Sequence, residues 1–232
     1  ELEVSLQSAK SIVDALDKSK FDVVLLGVDK QGQWHISDTS NYLINADNPE
    51  TIELNSTNQQ ISVLPGAEQS QLVNVTTHTA LSQIDVIFPI VHGTLGEDGT
   101  LQGMLRILNI PFVGSDVLGS SVCMEKDVCK RLLRDAGLNV APFVTVTRAN
   151  PSRYTFADLE QSLGLPLFIK PANQGSSVGV SRVTNEAEFT EALALAFRFD
   201  SKVVIEKGIT GREIECGILD NDNPQASRCG EI

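Results

Sequence analysis

The chain has little positive charge: 18 Lys and Arg stand against 30 Asp and Glu, a formal net charge of −12 at pH 7. The mean field of such a chain repels polyanions, which excludes a general attraction to nucleic acid or to an anionic membrane surface. An anionic small molecule would need locally placed lysines, and most of the surplus acid reads as solvated surface. No apolar run approaches the roughly 20 residues that span a bilayer, and no secretion signal opens the chain. Neither a membrane nor a nucleic acid is therefore an expected partner. The four cysteines (Cys123, Cys129, Cys216, Cys229) form no CxxC pair and no metal-finger spacing. Reduced thiols with a packing role are expected, which suits the cytosol. Repeats and low-complexity tracts are absent. No GxGxxG follows an opening strand and no Gly-Lys-Ser/Thr opens a helix, so a plain dinucleotide-binding dehydrogenase and a P-loop protein both fit poorly.

What is present suits a globular protein. The 232 residues exceed a typical single domain, and 41% hydrophobic content allows a sizeable core. Leu6, Ala9, Ile12, Val13 and Leu16 predict an amphipathic helix within residues 4–18. A β-branched and leucine-rich run over residues 21–28 predicts a strand, closed by the turn Asp29-Lys30-Gln31-Gly32. Residues 36–80 are polar and read as loops and short strands, one of them at residues 61–64. A buried strand is expected at residues 84–91, then a glycine-rich loop, a helix from Thr100 to about Leu108 and a short strand at 112–114. Such alternation argues for a parallel α/β sheet.

The rhythm changes after residue 116, which is the expected domain boundary. Helices are predicted at 117–124 and 126–136, ending at Gly137, with an extended piece at 143–146 after Pro142. Strands follow at 167–170, 178–183, 202–206 and 213–219, with a helix over 185–198 that buries Phe189, Leu193, Ala196 and Phe197.

Chemistry concentrates in three places. In Lys170-Pro171-Ala172-Asn173-Gln174-Gly175-Ser176-Ser177-Val178-Gly179, glycines let the backbone approach a ligand. Successive N–H groups and the hydroxyls of Ser176 and Ser177 can cradle a phosphate, while Lys170 supplies a cation. The plain alternative is a hairpin with Gly turns. Glu206 ends an apolar strand, where a carboxylate and backbone pair could read an adenine edge, and Glu213 could accept from ribose hydroxyls. Taken singly, each glutamate is as well explained by solvent or a salt bridge. His92 follows a strand and opens the loop that holds Glu97; its plain alternative is a capping or core histidine. His35 and His78 lack such a setting and are expected at the surface.

These segments also carry a family resemblance. Residues 92–103, 170–179, Ile205-Glu206-Lys207, the opening Glu1-Leu2-Glu3-Val4-Ser5-Leu6 and Met124-Glu125-Lys126 resemble D-alanine–D-alanine ligases of the ATP-grasp superfamily. The match runs through nearly the whole chain in order and spacing. It implies an α/β protein: a Rossmann-like parallel-sheet N-terminal domain (1–116) whose first strand is missing, then an ATP-grasp fold. The latter would comprise a central subdomain (117–207) and the start of an incomplete C-terminal domain (208–232). The implied reaction joins two D-alanines at the expense of ATP, through an acyl phosphate, for peptidoglycan synthesis in the bacterial cytoplasm. The implied cofactors are ATP, as substrate, and two Mg²⁺ or Mn²⁺ ions, and the implied assembly is a homodimer.

Residue by residue, Lys126 and Lys170 match the phosphate-binding lysines. Glu206, Lys207 and the Ile209 backbone match the adenine hinge, and Glu213 the ribose contact. Ser176 matches a loop serine bonded to a glutamate that matches Glu1, the anchor of the first D-alanine ammonium. His92 matches a histidine near the reacting carboxylate, and Glu97 shares its loop at the substrate end. Leu2 stands where histidine or arginine is common. The metal ligands, the arginine that stabilises the transition state and a closing-loop tyrosine are expected beyond Ile232, with Tyr42 and Tyr154 wrongly placed to substitute. On that expectation the chain as written does not complete the reaction. Two alternatives stand beside this reading: a D-alanine–D-lactate or D-alanine–D-serine ligase, and a non-catalytic ATP-binding fragment.

Overall fold

The computed structural model describes residues 2–29, 31–37, 41–55 and 59–232. It divides into two compact units, Glu1–Ala136 with Ala172–Val178, and Gly137–Pro171 with Gly179–Ile232. The helices that follow residue 116 therefore cluster with the first unit, as does the glycine–serine loop.

In the first unit α1 (Leu2–Ala15) buries Ser5, Leu6 and Val13. Next come β1 (Leu25–Val28), β2 (Trp34–Ser37), β3 (Leu43–Ile44), β4 (Glu53–Leu54), β5 (Gln60–Val63), β6 (Leu72–Asn74) and β7 (Thr79–Ala80). Strands β1-β2-β5-β6-β7 form one sheet with antiparallel neighbours, and β3 pairs with β4. The polar stretch read as loops and short strands thus supplies antiparallel strands, with β3 and β4 lying in the connection between β2 and β5. Parallel pairing occurs at Ile87 with Phe112, where Ile87 N donates to Pro111 O at 2.8 Å and Val113 N to Ile87 O at 2.9 Å. The strand expected at residues 84–91 is accordingly only partly realised: Ile84 and Ile87 join the core, whereas Val86 and Phe88 are exposed.

Helices α2 (Thr100–Ile107), α3 (Val117–Met124) and α4 (Lys126–Asp135) complete the unit. Leu105, Leu108 and Ile110 form its core with Trp34, Ile84, Ile87 and Phe112 around them. His35 corrects the surface expectation. It is buried, and its Nε2 lies 3.0 Å from Asp29 Oδ2, a carboxylate that also accepts from Gln31 N and Gln33 N. His78 is exposed as expected.

The second unit holds β8 (Phe143–Thr147), α5 (Phe156–Leu163), β9 (Leu167–Pro171), β10 (Ser181–Val183), α6 (Glu186–Phe199) and β11 (Lys202–Lys207). Its sheet has the order β10-β9-β11-β8, antiparallel throughout. Alternation along β9 sends Leu167 and Ile169 into the core with Val203 and Ile205 of β11, under Phe189, Ala192 and Ala196 of α6. The opposite face carries Phe168, Lys170 and Glu206. Helix α5 was not read from the sequence, although Thr155 and Asp158 form a complete capping box at its start. The chain continues through β12 (Ile214–Glu215), β13 (Ile218–Leu219), β14 (Gln225–Ala226) and β15 (Gly230–Glu231), exposed two-stranded pairs in place of the single strand expected at 213–219.

All four cysteines are unpaired; Cys123, Cys216 and Cys229 are exposed rather than packed. No helix among the described residues is long and apolar enough to cross a membrane.

Candidate functional site

The first unit brings His92 and Glu97 together. Helix α1 presents Ser5 and Ser8 one turn apart on the same face. Ser5 Oγ accepts from the His92 backbone N at 2.9 Å, and Ser8 Oγ lies 3.0 Å from His92 Nε2. On the other side of the ring, His92 Nδ1 is 3.3 Å from Glu97 Oε1, while Glu97 Oε2 accepts from Gly93 N at 2.6 Å. With Nδ1–H donating to the Glu97 carboxylate, Nε2 is left to accept from the Ser8 hydroxyl. Neither serine was singled out from the sequence; the signal available was their i, i+3 spacing on a helix.

Asp98 shapes the same loop, accepting from Leu95 N at 2.9 Å and Thr100 N at 3.0 Å. Burial alone would raise its pKa, but the hydrogen bonds from Leu95 and Thr100 outweigh burial and hold it below the usual carboxylate range. Gly96 admits no side chain, since a Cβ would lie 2.0 Å from Val91 O. Beside His92, Gly96 and Glu97 lies a cavity of about 500 Å³, with Gln102, Cys123 and Met124 also in its wall.

Lys126 stands at the first position of α4, where the helix dipole disfavours a cation and favours an anion. Its backbone N donates to Ala172 O at 3.0 Å, and its Nζ donates to the carbonyl oxygens of Ala172 and Gln174. The loop and the lysine are thus assembled within one unit, and Thr94 Oγ1 donates to Gln174 Oε1 at 3.3 Å. Val178 N donates to Gly175 O at 3.0 Å, closing a turn whose central residues Ser176 and Ser177 both have positive φ (46° and 60°). That conformation favours Asn or Gly, so two exposed serines here hold a strained backbone.

In the second unit Lys170 Nζ pairs with Glu206 Oε1 and lies 5.7 Å from the centre of the Phe168 ring. Lys207 is exposed and its N donates to Pro142 O at 3.0 Å; Gly208 N donates to Pro166 O at 2.7 Å. Ile209 and the Glu213 side chain are exposed. Glu1 lies outside the described residues, and so does its expected bond to Ser176. Among the described residues no group of three or more His, Cys, Asp or Glu could hold a metal ion.

Solved structures share this architecture. The D-alanine-D-alanine ligase of Coxiella burnetii superimposes with a TM-score of 0.85 at 37% identity, covering 99% of this chain and 66% of that one. The VanG D-Ala:D-Ser ligase of Enterococcus faecalis gives 0.85 at 33% identity, covering 99% and 65%. The fold class is therefore the ATP-grasp α/β class of these ligases. The family model described as D-ala D-ala ligase N-terminus matches residues 1–115, and the one described as D-ala D-ala ligase C-terminus matches 132–232. The chain belongs to the D-alanine–D-alanine ligase family. It is 67% identical over 232 residues to D-alanine–D-alanine ligase A of Escherichia coli O6:H1, spanning 64% of that relative's length.

Proposed function

We propose that the protein carrying this chain joins two D-alanines into D-alanyl-D-alanine for peptidoglycan synthesis, with ATP converted to ADP and phosphate. In this reading the carboxylate of the first D-alanine attacks the γ-phosphate, giving an acyl phosphate and ADP. The amine of the second D-alanine then attacks the acyl carbon, the peptide bond forms and phosphate leaves. Little covalent chemistry falls to the protein, so positioning and charge neutralisation do the work. A divalent ion, Mg²⁺ or Mn²⁺ and two of them as in the family, would enter with the phosphates to lower their repulsion of the carboxylate.

Lys126 and Lys170 offset phosphate charge, while Ser176, Ser177 and the turn they form offer donors to it. Glu206, Lys207 and the Ile209 backbone serve the adenine edge, and Glu213 the ribose. Glu1, His92 and Glu97 hold the first D-alanine. The observation that carries the reading is the Lys126–loop assembly. A helix start, a lysine and the glycine–serine loop converge within one unit of an acidic protein, where an anion is otherwise disfavoured. The domains proposed are 1–116, 117–207 and 208–232, the assembly a homodimer and the compartment the bacterial cytoplasm. Identity of 67% to a D-alanine–D-alanine ligase supports the dipeptide over the altered-specificity alternative.

The test is phosphate release from ATP and Mg²⁺, with and without D-alanine, on this chain and on the protein at the full length of its relatives. D-alanine-dependent release that Lys170→Ala abolishes supports the reading. Full-length protein that releases no phosphate with D-alanine refutes the substrate assignment.

A further inference from the structure

We propose that Gln102 is a positioning residue, holding the loop that carries Glu97 and, through Glu97, the His92 imidazole. The inference rests on the reading of that loop as the D-alanine site. Gln102 lies on α2 and is 7% exposed, an unusual place for a primary amide. Its Nε2 donates to Gly96 O at 2.8 Å in a buried hydrogen bond. Only one orientation of the amide sets a donor against that carbonyl, which fixes which end is nitrogen.

The loop is also shaped by backbone and carboxylate bonds: Glu97 N donates to Gly93 O at 2.9 Å, Leu101 N to Leu95 O at 3.1 Å, and Asp98 accepts from Leu95 N and Thr100 N. Gln102 is the side chain that holds the Gly96 carbonyl itself. Gly96 N donates to Gly93 O at 3.1 Å, and the absence of a Cβ is what lets residue 96 sit against Val91 O. Glu97 follows immediately, and its two oxygens meet Gly93 N and His92 Nδ1. A displacement of the Gly96 carbonyl therefore moves the Glu97 carboxylate and loosens the ring it orients. Among the described residues the other end of the amide has no hydrogen-bond partner: Gln102 Oε1 is buried and unsatisfied. An apolar side chain of similar size would avoid that cost, so the amide is explained by its donor and not by packing. Gln102 also lines the roughly 500 Å³ cavity together with His92, Gly96 and Glu97, placing it beside the site it organises.

Two substitutions separate the hydrogen bond from the volume. Gln102→Leu removes the donor at similar size, and the KM for D-alanine should rise about tenfold while that for ATP stays within about twofold. Gln102→Glu turns a carboxylate towards Gly96 O; ionised it cannot donate, protonated it can. Its activity relative to wild type should therefore rise as pH falls. Running the wild type in parallel removes the contributions of His92, Glu97 and Asp98 in the loop and Cys123 in the cavity wall. Unchanged KM for D-alanine in the leucine variant, an equal rise for both substrates, or a flat Gln102→Glu ratio overturns the proposal. Should the leucine variant fail to fold, the glutamate pH series decides. Should wild-type protein show no D-alanine-dependent turnover, the functional reading falls separately. The loop role is then read from the His92 ring resonances of the 232-residue chain, which must shift in Gln102→Glu; unshifted resonances overturn it.

Discussion

Lys170 and Glu206 meet as an ion pair on neighbouring antiparallel strands, although Lys170 lies opposite Val204 in the register. The contact is diagonal, two residues along, on the sheet face away from the α6 core. Side-chain exposures of 25% and 13% leave both charges partly desolvated, a cost that their pairing offsets. Lys170→Ala should destabilise the fold by about 1–3 kcal/mol, below the range for a fully buried pair because solvent still screens it. It should also weaken ATP binding at least about tenfold, ~1.4 kcal/mol, in calorimetric titration. Equal ATP affinity in the variant would remove Lys170 from the phosphate site.

Ser8 holds His92 from the side opposite Glu97. Ser8→Ala should leave the melting temperature nearly unchanged and lower kcat/KM for D-alanine roughly tenfold, about 1.4 kcal/mol of transition-state positioning. Steady-state kinetics across D-alanine concentrations check this, and an unaltered kcat/KM would mean the ring needs no second anchor.

Gly96 is a steric requirement. Gly96→Ala drives a Cβ into the Val91 carbonyl, which as backbone cannot swing aside. The expected loss is about 1–3 kcal/mol or more, visible in thermal melts. The control Gly103→Ala, where nothing lies within 4 Å, should be tolerated.

In the turn after Gln174, Ser176→Gly retains positive φ and removes the hydroxyl. Relief of left-handed strain should leave stability equal or raised by up to about 1 kcal/mol. A fall in D-alanine or ATP affinity then reports the hydroxyl itself, whereas unchanged affinity assigns the work to backbone N–H groups.

Acid should loosen the second unit by a traceable route. The Thr155 side chain and backbone hold the Asp158 carboxyl below its ordinary pKa, and the Thr184 backbone N–H, then its hydroxyl, do the same for Glu188. Depressed folded-state values mean stability that is present above the unfolded pKa values and lost as pH falls through the folded ones. The melting temperature should drop below about pH 4.5, close to the unperturbed glutamate value. Thr155→Ala should cost about 1 kcal/mol at neutral pH and flatten that drop. A variant with an unchanged acid slope would show that Asp158 does not couple to the cap.

Much of this architecture was legible in the residues because local rules sufficed. The 3.6-residue stripe over 185–198 placed α6, and Phe189 and Ala196 are indeed buried, while Leu193 and Phe197 sit at the core's edge. Gly137 ends the second of the paired helices, with φ 81° just past the residues that cap α4. The resemblance in residues 92–103 and 170–179 was equally sequence-borne, since it depends on residue order and spacing and not on packing.

Tertiary structure decided what local pattern could not. His35 reads as surface until its own strand, β2, is paired between β1 and β5 and Asp29 supplies its partner. The polar residues 36–80 have weak periodicity, and only pairing across β2, β5, β6 and β7 makes them strands. Ser5 and Ser8 look like solvent-facing positions of a helix until His92 arrives from more than 80 residues away. Lys126 and Gln174 meet across 48 residues of chain. Order and composition determined the strongly periodic helices such as α1, α2 and α6 and the family, because those follow from short-range sterics and residue spacing. Which side chains orient the histidine, cradle the lysine and pair with the strand cation depended on long-range contacts, which no local periodicity encodes.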